Sequence, residues 1–70
     1  MKLSDARKNK GYSQEKLSRE INVSLKHYQN IEHGITTPTV TIALHICEIL
    51  DVDPREIDEW KDRRSESDKK

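Results

Sequence analysis

Between Ser13 and Gly34 the stretch SQEKLSREINVSLKHYQNIEHG leaves room for little except two short helices joined by a tight turn. Ser13 reads as an N-cap, since its hydroxyl can accept from a backbone N–H two or three residues on, and Gln14 and Glu15 suit the positive helix end behind it. Leu17 and Ile21 recur at i and i+4 and so share a buried face, leaving Lys16, Ser18, Arg19 and Glu20 to solvent. Asn22 tolerates the left-handed conformation of a sharp helix exit, and Val23 can fold back as its hydrophobic contact. Ser24 then caps a second helix. Its core residues are Tyr28 and Ile31, at i and i+3, and Gly34 takes the left-handed C-cap.

Two helices linked by three or four residues match a helix-turn-helix, whose second helix can lie in a DNA major groove. At these residues the chain resembles the lambda-repressor-like helix-turn-helix domains, the xenobiotic-response-element (Cro and phage repressor) type of transcriptional regulator. The carriers are SQEKL at the start of helix 2, INVS in the turn, IEHG at the end of helix 3, Pro38 in the next loop, and ILDVDPREI. They span roughly Leu3 to Trp60. Asn22 and Asp51 stand where the family most often has Gly, and Tyr28 fills a buried position that is usually aliphatic. Asn and Asp can adopt the same turn, so these departures bear on stability more than on fold. The resemblance implies an all-α, compact five-helix domain over residues 1–60.

The rest of the chain fits that frame. Helix 1 is predicted from about Lys2 to Lys10, with Leu3 and Ala6 inward, Gly11 as C-cap and Tyr12 as the hydrophobic closure. This helix is weakly apolar. In the family, an arginine at the position of Arg7 commonly pairs with the glutamate at the position of Glu32, and both are present. Thr39 offers the cap of helix 4, predicted from about Val40 to Leu50, with a core stripe of Val40, Ala43, Ile46 or Cys47, and Leu50. Ile42 and Ile49 lie to one side of it. Asp51 and Val52 make the exit, and Asp53, Pro54 and Glu56 read as the capping box of a short helix 5 whose apolar face is Ile57 and Trp60. From Lys61 onward KDRRSESDKK has no apolar residue, so residues 61–70 are expected to form a charged, disordered tail.

Composition narrows the function. With 70 residues, 31% hydrophobic and 37% charged, the chain is one small domain. No apolar run approaches the length of a membrane span and no hydrophobic signal region follows the N-terminal Lys, so a cytoplasmic protein is expected. Net charge is zero overall, yet residues 1–33 carry +3 and residues 34–70 carry −3. That polarity turns a basic face toward phosphates and keeps the acidic end away. Cys47 reads as core. His27 and His33 fall on different faces, and His45 and Cys47 cannot converge from one helix, so no metal site or cofactor is expected. No nucleophile, base and oxyanion set supports an enzyme.

On helix 3, residues 24–32, the periodicity leaves Ser24, Leu25, Lys26, Gln29 and Asn30 facing outward. Lys26 can donate to guanine, Gln29 and Asn30 can pair with adenine, and Leu25 can pack on a thymine methyl. By resemblance, Gln14 touches backbone phosphate and supports the recognition helix. Arg19 and Thr36 complete the expected DNA-contacting set. Such domains usually bind inverted-repeat operators as two-fold dimers. The surface left for a dimer is Ile42, Ile49, Ile57 and Trp60, and the expected function is a dimeric, sequence-specific repressor. The alternative is a protein-interaction module of antitoxin or anti-repressor type that uses helices 4 and 5 to hold a protein partner.

Overall fold

The computed structural model describes residues 1–61, so the tail expected over residues 61–70 lies, from residue 62 on, outside the described residues. The described residues form four α-helices: α1 Leu3–Asn9, α2 Gln14–Glu20, α3 Leu25–Glu32 and α4 Val40–Leu50. Two 3-10 turns follow, Pro54–Glu56 and Asp58–Trp60.

Each helix after the first opens on a side-chain cap. Ser13 Oγ accepts from Lys16 N at 3.0 Å, Ser24 Oγ from His27 N at 3.0 Å, and Thr39 Oγ1 from Ile42 N at 3.3 Å. Each helix also closes on a left-handed residue, namely Gly11 (φ 80°), Asn22 (φ 62°), Gly34 (φ 77°) and Asp51 (φ 59°). Beyond each of these, the next N–H reaches back to close the last turn, as in Val23 N to Ser18 O at 3.0 Å and Ile35 N to Asn30 O at 2.9 Å. The orphan carbonyls of the helix ends are thereby satisfied.

The core is Leu3, Ala6, Leu17, Ile21, Tyr28, Ile31, Ile46, Leu50 and Ile57. α1 supplies only Leu3 and Ala6 to it, so polar contacts supplement its apolar anchoring. Leu3 N donates to Glu59 Oε1 at 2.9 Å, and Asp58 N to Met1 O at 2.8 Å.

Four expectations are corrected. Helix 5 is not an α-helix: Ile57 is extended (ψ 115°), which splits the segment into the two 3-10 turns. Ile57 enters the core at 0% exposure, and the next N–H serves Met1 O instead of continuing a helix. Asp53 does not form a capping box with Glu56, because its carboxylate accepts from the Arg55 backbone N–H at 2.8 Å and from the Arg55 guanidinium at 3.0 Å. Val40, expected in the core, is 75% exposed; α4 instead turns Ile46 and Leu50 inward, with Ile42 and Ile49 packed against the same core. Ser18 is 2% exposed rather than solvated, and its hydroxyl donates back to Glu15 O at 2.8 Å.

Candidate nucleic-acid interface

α2 and α3 pack closely, and one carboxylate ties them to α1. Glu32, the last residue of α3, accepts from Arg7 Nε on α1 at 2.8 Å and more loosely from Nη2 at 3.4 Å. Tyr28 Oη donates to the same carboxylate at 2.6 Å, and Gln14 Nε2, at the start of α2, donates at 2.9 Å. Arg7 also donates to Tyr12 O at 2.8 Å, which holds the loop between α1 and α2.

Arg7 and Glu32 are 8% and 6% exposed, so each charge depends on the other. Burial opposes ionisation of Glu32, but hydrogen bonds from Arg7, Tyr28 and Gln14 outweigh it and hold the carboxyl below its ordinary value. The Glu32 hydrogen bond likewise raises the Arg7 guanidinium against the desolvation that would lower it. Burial, and then the bond to Glu32, push the Tyr28 phenol far up. The result is a fixed ion pair and a neutral phenol.

This arrangement presents the first turns of α3. Ser24 and Lys26 are exposed and Leu25 is 39% exposed, all beside the turn from α2. Gln29 and Asn30 are half-buried, less open than the periodicity implied. Gln29 Nε2 donates to Gln14 Oε1 at 3.2 Å, a link between the two helices that the sequence did not foretell. Arg19 is exposed but paired along its own helix with Glu15 at 3.0 Å. Thr36 is half-buried, its N–H held by Asn30 O at 3.2 Å.

A polar cleft of about 560 Å³ lies beside Gln14, with Lys2, Lys8 and His33 among its lining residues. Neither lysine was singled out from sequence, where the only signal for them was the basic balance of the first half of the chain, and His33 was weighed there only as a metal ligand.

The residues expected at a dimer surface are distributed differently. Ile57 is fully buried within the monomer, because the chain dips into the core between the two 3-10 turns, and so it forms no external patch. Ile42, Ile49 and Trp60 are half-buried against the core, and the Trp60 indole N–H is buried without a hydrogen-bond partner among the described residues. The exposed large hydrophobic residues are Met1, Leu25, Ile35, Val40 and Leu44. Among the described residues no three His, Cys, Asp or Glu gather as a metal site, and no helix is long and apolar enough to cross a membrane.

A capped helix, a left-handed turn and a second capped helix, locked together and presenting the start of the second, make this a helix-turn-helix protein. The chain belongs to the helix-turn-helix family of Cro and C1 type, the lambda-repressor-like group, its residues 3–57 matching the family model described as "Helix-turn-helix". No curated protein and no solved structure matches it.

Proposed function

We propose that this protein is a sequence-specific, double-stranded-DNA-binding transcriptional regulator, a repressor that acts in the cytoplasm by laying α3 in the major groove. The observation that carries the reading is the Arg7–Glu32–Tyr28–Gln14 cluster. It holds α3 against α1 and α2 while Ser24, Leu25 and Lys26 stay open to a partner. In this reading Gln14, the exposed Arg19, Thr36 and the cleft residues Lys2, Lys8 and His33 contact backbone phosphates. Lys26, Gln29 and Asn30 are the base readers, and Leu25 supplies apolar contact to thymine.

Two copies on an inverted repeat, about one helical turn apart, account for how so small a domain reaches useful affinity. The exposed Ile35, Val40 and Leu44 are better suited to that two-fold contact than the half-buried Ile42, Ile49 and Trp60. Selection from a random duplex pool tests the whole reading. An enriched inverted repeat is the expected result, and a pool that enriches nothing would sink it.

A second reading has its own observation. A cleft of about 470 Å³ is lined by Leu44, Cys47, Val52 and Pro54, with Glu48, Asp51, Asp53 and Glu56 around them. Its mixed apolar and acidic lining suits a protein segment with an apolar anchor flanked by basic side chains, as an antitoxin or anti-repressor pairing would use. Retention of DNA binding alongside loss of such a partner in Glu48→Lys, at an exposed cleft residue outside the two-fold contact, would separate the two roles.

A further inference from the structure

Among the α-helices of the described residues, α1 alone lacks a side-chain cap of its own. Its first N–H is served from the far end of the chain, where Glu59 Oε1 accepts from Leu3 N at 2.9 Å. A surface glutamate swings freely in water, whereas Glu59 is half-buried and held along its length. A Cβ placed on Gly34, just past α3, would meet Glu59 Cγ at 3.8 Å, so the stem runs against the end of the helix-turn-helix. The carboxylate is fixed between the start of α1 and the end of α3. That position is in the polar cleft beside Gln14. Arg7 and Glu32 also line the cleft, but they are paired with each other. The exposed Lys2 and Lys8 supply its remaining positive charge, and Glu59 opposes them. Among the described residues neither these lysines nor Glu59 forms an ion pair, so all three charges act on whatever enters. An anion drawn in by the lysines meets a carboxylate that can turn away only by giving up Leu3 N.

We propose that Glu59 is a built-in competitor of the DNA backbone phosphate in this cleft, holding down affinity for every duplex while leaving base preference to α3. The inference deepens the reading of the protein as a DNA-binding regulator and rests on it. A phosphate contact is blind to sequence, so a charge that opposes it weakens all duplexes alike. The repulsion acts between charges open to solvent, so salt screens it and the effect is largest at low ionic strength. Because the same side chain caps α1, the order of the N-terminal helix and the looser hold on DNA have one source.

The full chain, Glu59→Gln and Glu56→Gln are titrated onto an operator from random-duplex selection and onto an unrelated duplex, over a series of salt concentrations. Glutamine keeps an acceptor for Leu3 N and removes only the charge. Glu56, exposed and lining the other cleft, gives the same change in net charge at a different place. Glu59→Gln should bind both duplexes about fivefold tighter at low salt, a gain that falls to about twofold or less as salt is raised. The ratio of affinities for the two duplexes should stay as in the parent. Glu56→Gln should change either affinity by less than about twofold. Denaturant titration checks that the variants are folded, and should Glu59→Gln unfold, Glu59→Ala takes its place. Equal affinity of parent and Glu59 variant overturns the proposal, as does an equal gain in Glu56→Gln, which would make it an effect of net charge alone. A gain confined to the operator overturns it too, since a phosphate contact cannot tell the two duplexes apart. Failure of parent and variants to bind any duplex overturns the regulator reading and the proposal with it, a result distinct from DNA binding that is indifferent to Glu59.

Discussion

Glu32 carries donors from three side chains on two oxygens, so its removal leaves all three without their partner. Breaking a buried pair by removing one partner costs about 3–5 kcal/mol, against about 0.2–1 kcal/mol for an exposed pair. Arg7→Ala or Glu32→Ala should therefore lower the unfolding free energy by about 3 kcal/mol each, and the double variant by clearly less than the sum. Denaturant titration of the four-protein cycle measures this; strict additivity would mean the charges are not coupled. Tyr28→Phe should cost about 2 kcal/mol in the same assay, since it takes a hydrogen bond from a buried charge. Acid provides an independent check. Folding holds Glu32 below its ordinary value, so its contribution is complete above the ~4.3 of an unfolded glutamate and drains away as pH falls through the lower folded value. Glu32→Gln, weaker at neutral pH, should lose less stability over that acid interval than the parent.

On the proposed reading, α3 divides its residues between base contacts and the cluster at Glu32. Asn30→Ala and Gln29→Ala should each relax preference at particular base pairs by about 1–3 kcal/mol, and loss of the Lys26 charge should weaken binding. Arg19→Ala should instead weaken all sequences alike and lower the salt slope by about one. Competition binding against duplexes substituted one pair at a time, repeated across salt concentrations, distinguishes the two patterns. At the end of α4, Asp51 sits at φ 59°, where glycine is free of steric cost, so Asp51→Gly should stabilise by about 0.5 kcal/mol. The helix ends were legible in the sequence because they are local: Ser13, Ser24 and Thr39 cap within three residues, and Asn22, Gly34 and Asp51 end their helices by their own backbone preference. That Arg7 and Glu32 meet is long-range, and only the family resemblance suggested it. The Tyr28 bond to Glu32 and the Gln14–Gln29 link escaped because contacts between side chains of different helices leave no periodic trace, although an aromatic residue in an aliphatic place was a hint. Helix 5 was misread because Asp53 and Pro54 start a helix and a helix lies in the capping pattern, whereas what stops it is the pull of Ile57 into a core built by distant residues.

For the whole molecule, the proposed two-fold assembly would draw on the exposed apolar residues. Val40 and Leu44 are one turn apart on α4, and burying them against a second copy would form only a small interface, hence a weak dimer completed on DNA. Leu44→Asp should reduce affinity for an inverted repeat to little more than that for a half-site without changing the preferred sequence. Sedimentation over a range of concentrations supplies the second reading, and a parent protein that is monomeric at all of them and gains nothing from the second half-site would exclude this assembly. The strap from Ile57 to Trp60 also has a kinetic meaning. Its bonds from Asp58 N to Met1 O and from Leu3 N to Glu59 join segments more than fifty residues apart, and Ile57 is a core residue that emerges only after four helices. On a growing chain, α1 must wait for the strap before it has its full set of contacts, and in the finished protein the same loop closure is the one whose release returns most chain entropy. The two ends should therefore open together, with the amides of Leu3 and Asp58 exchanging hydrogen at a common rate.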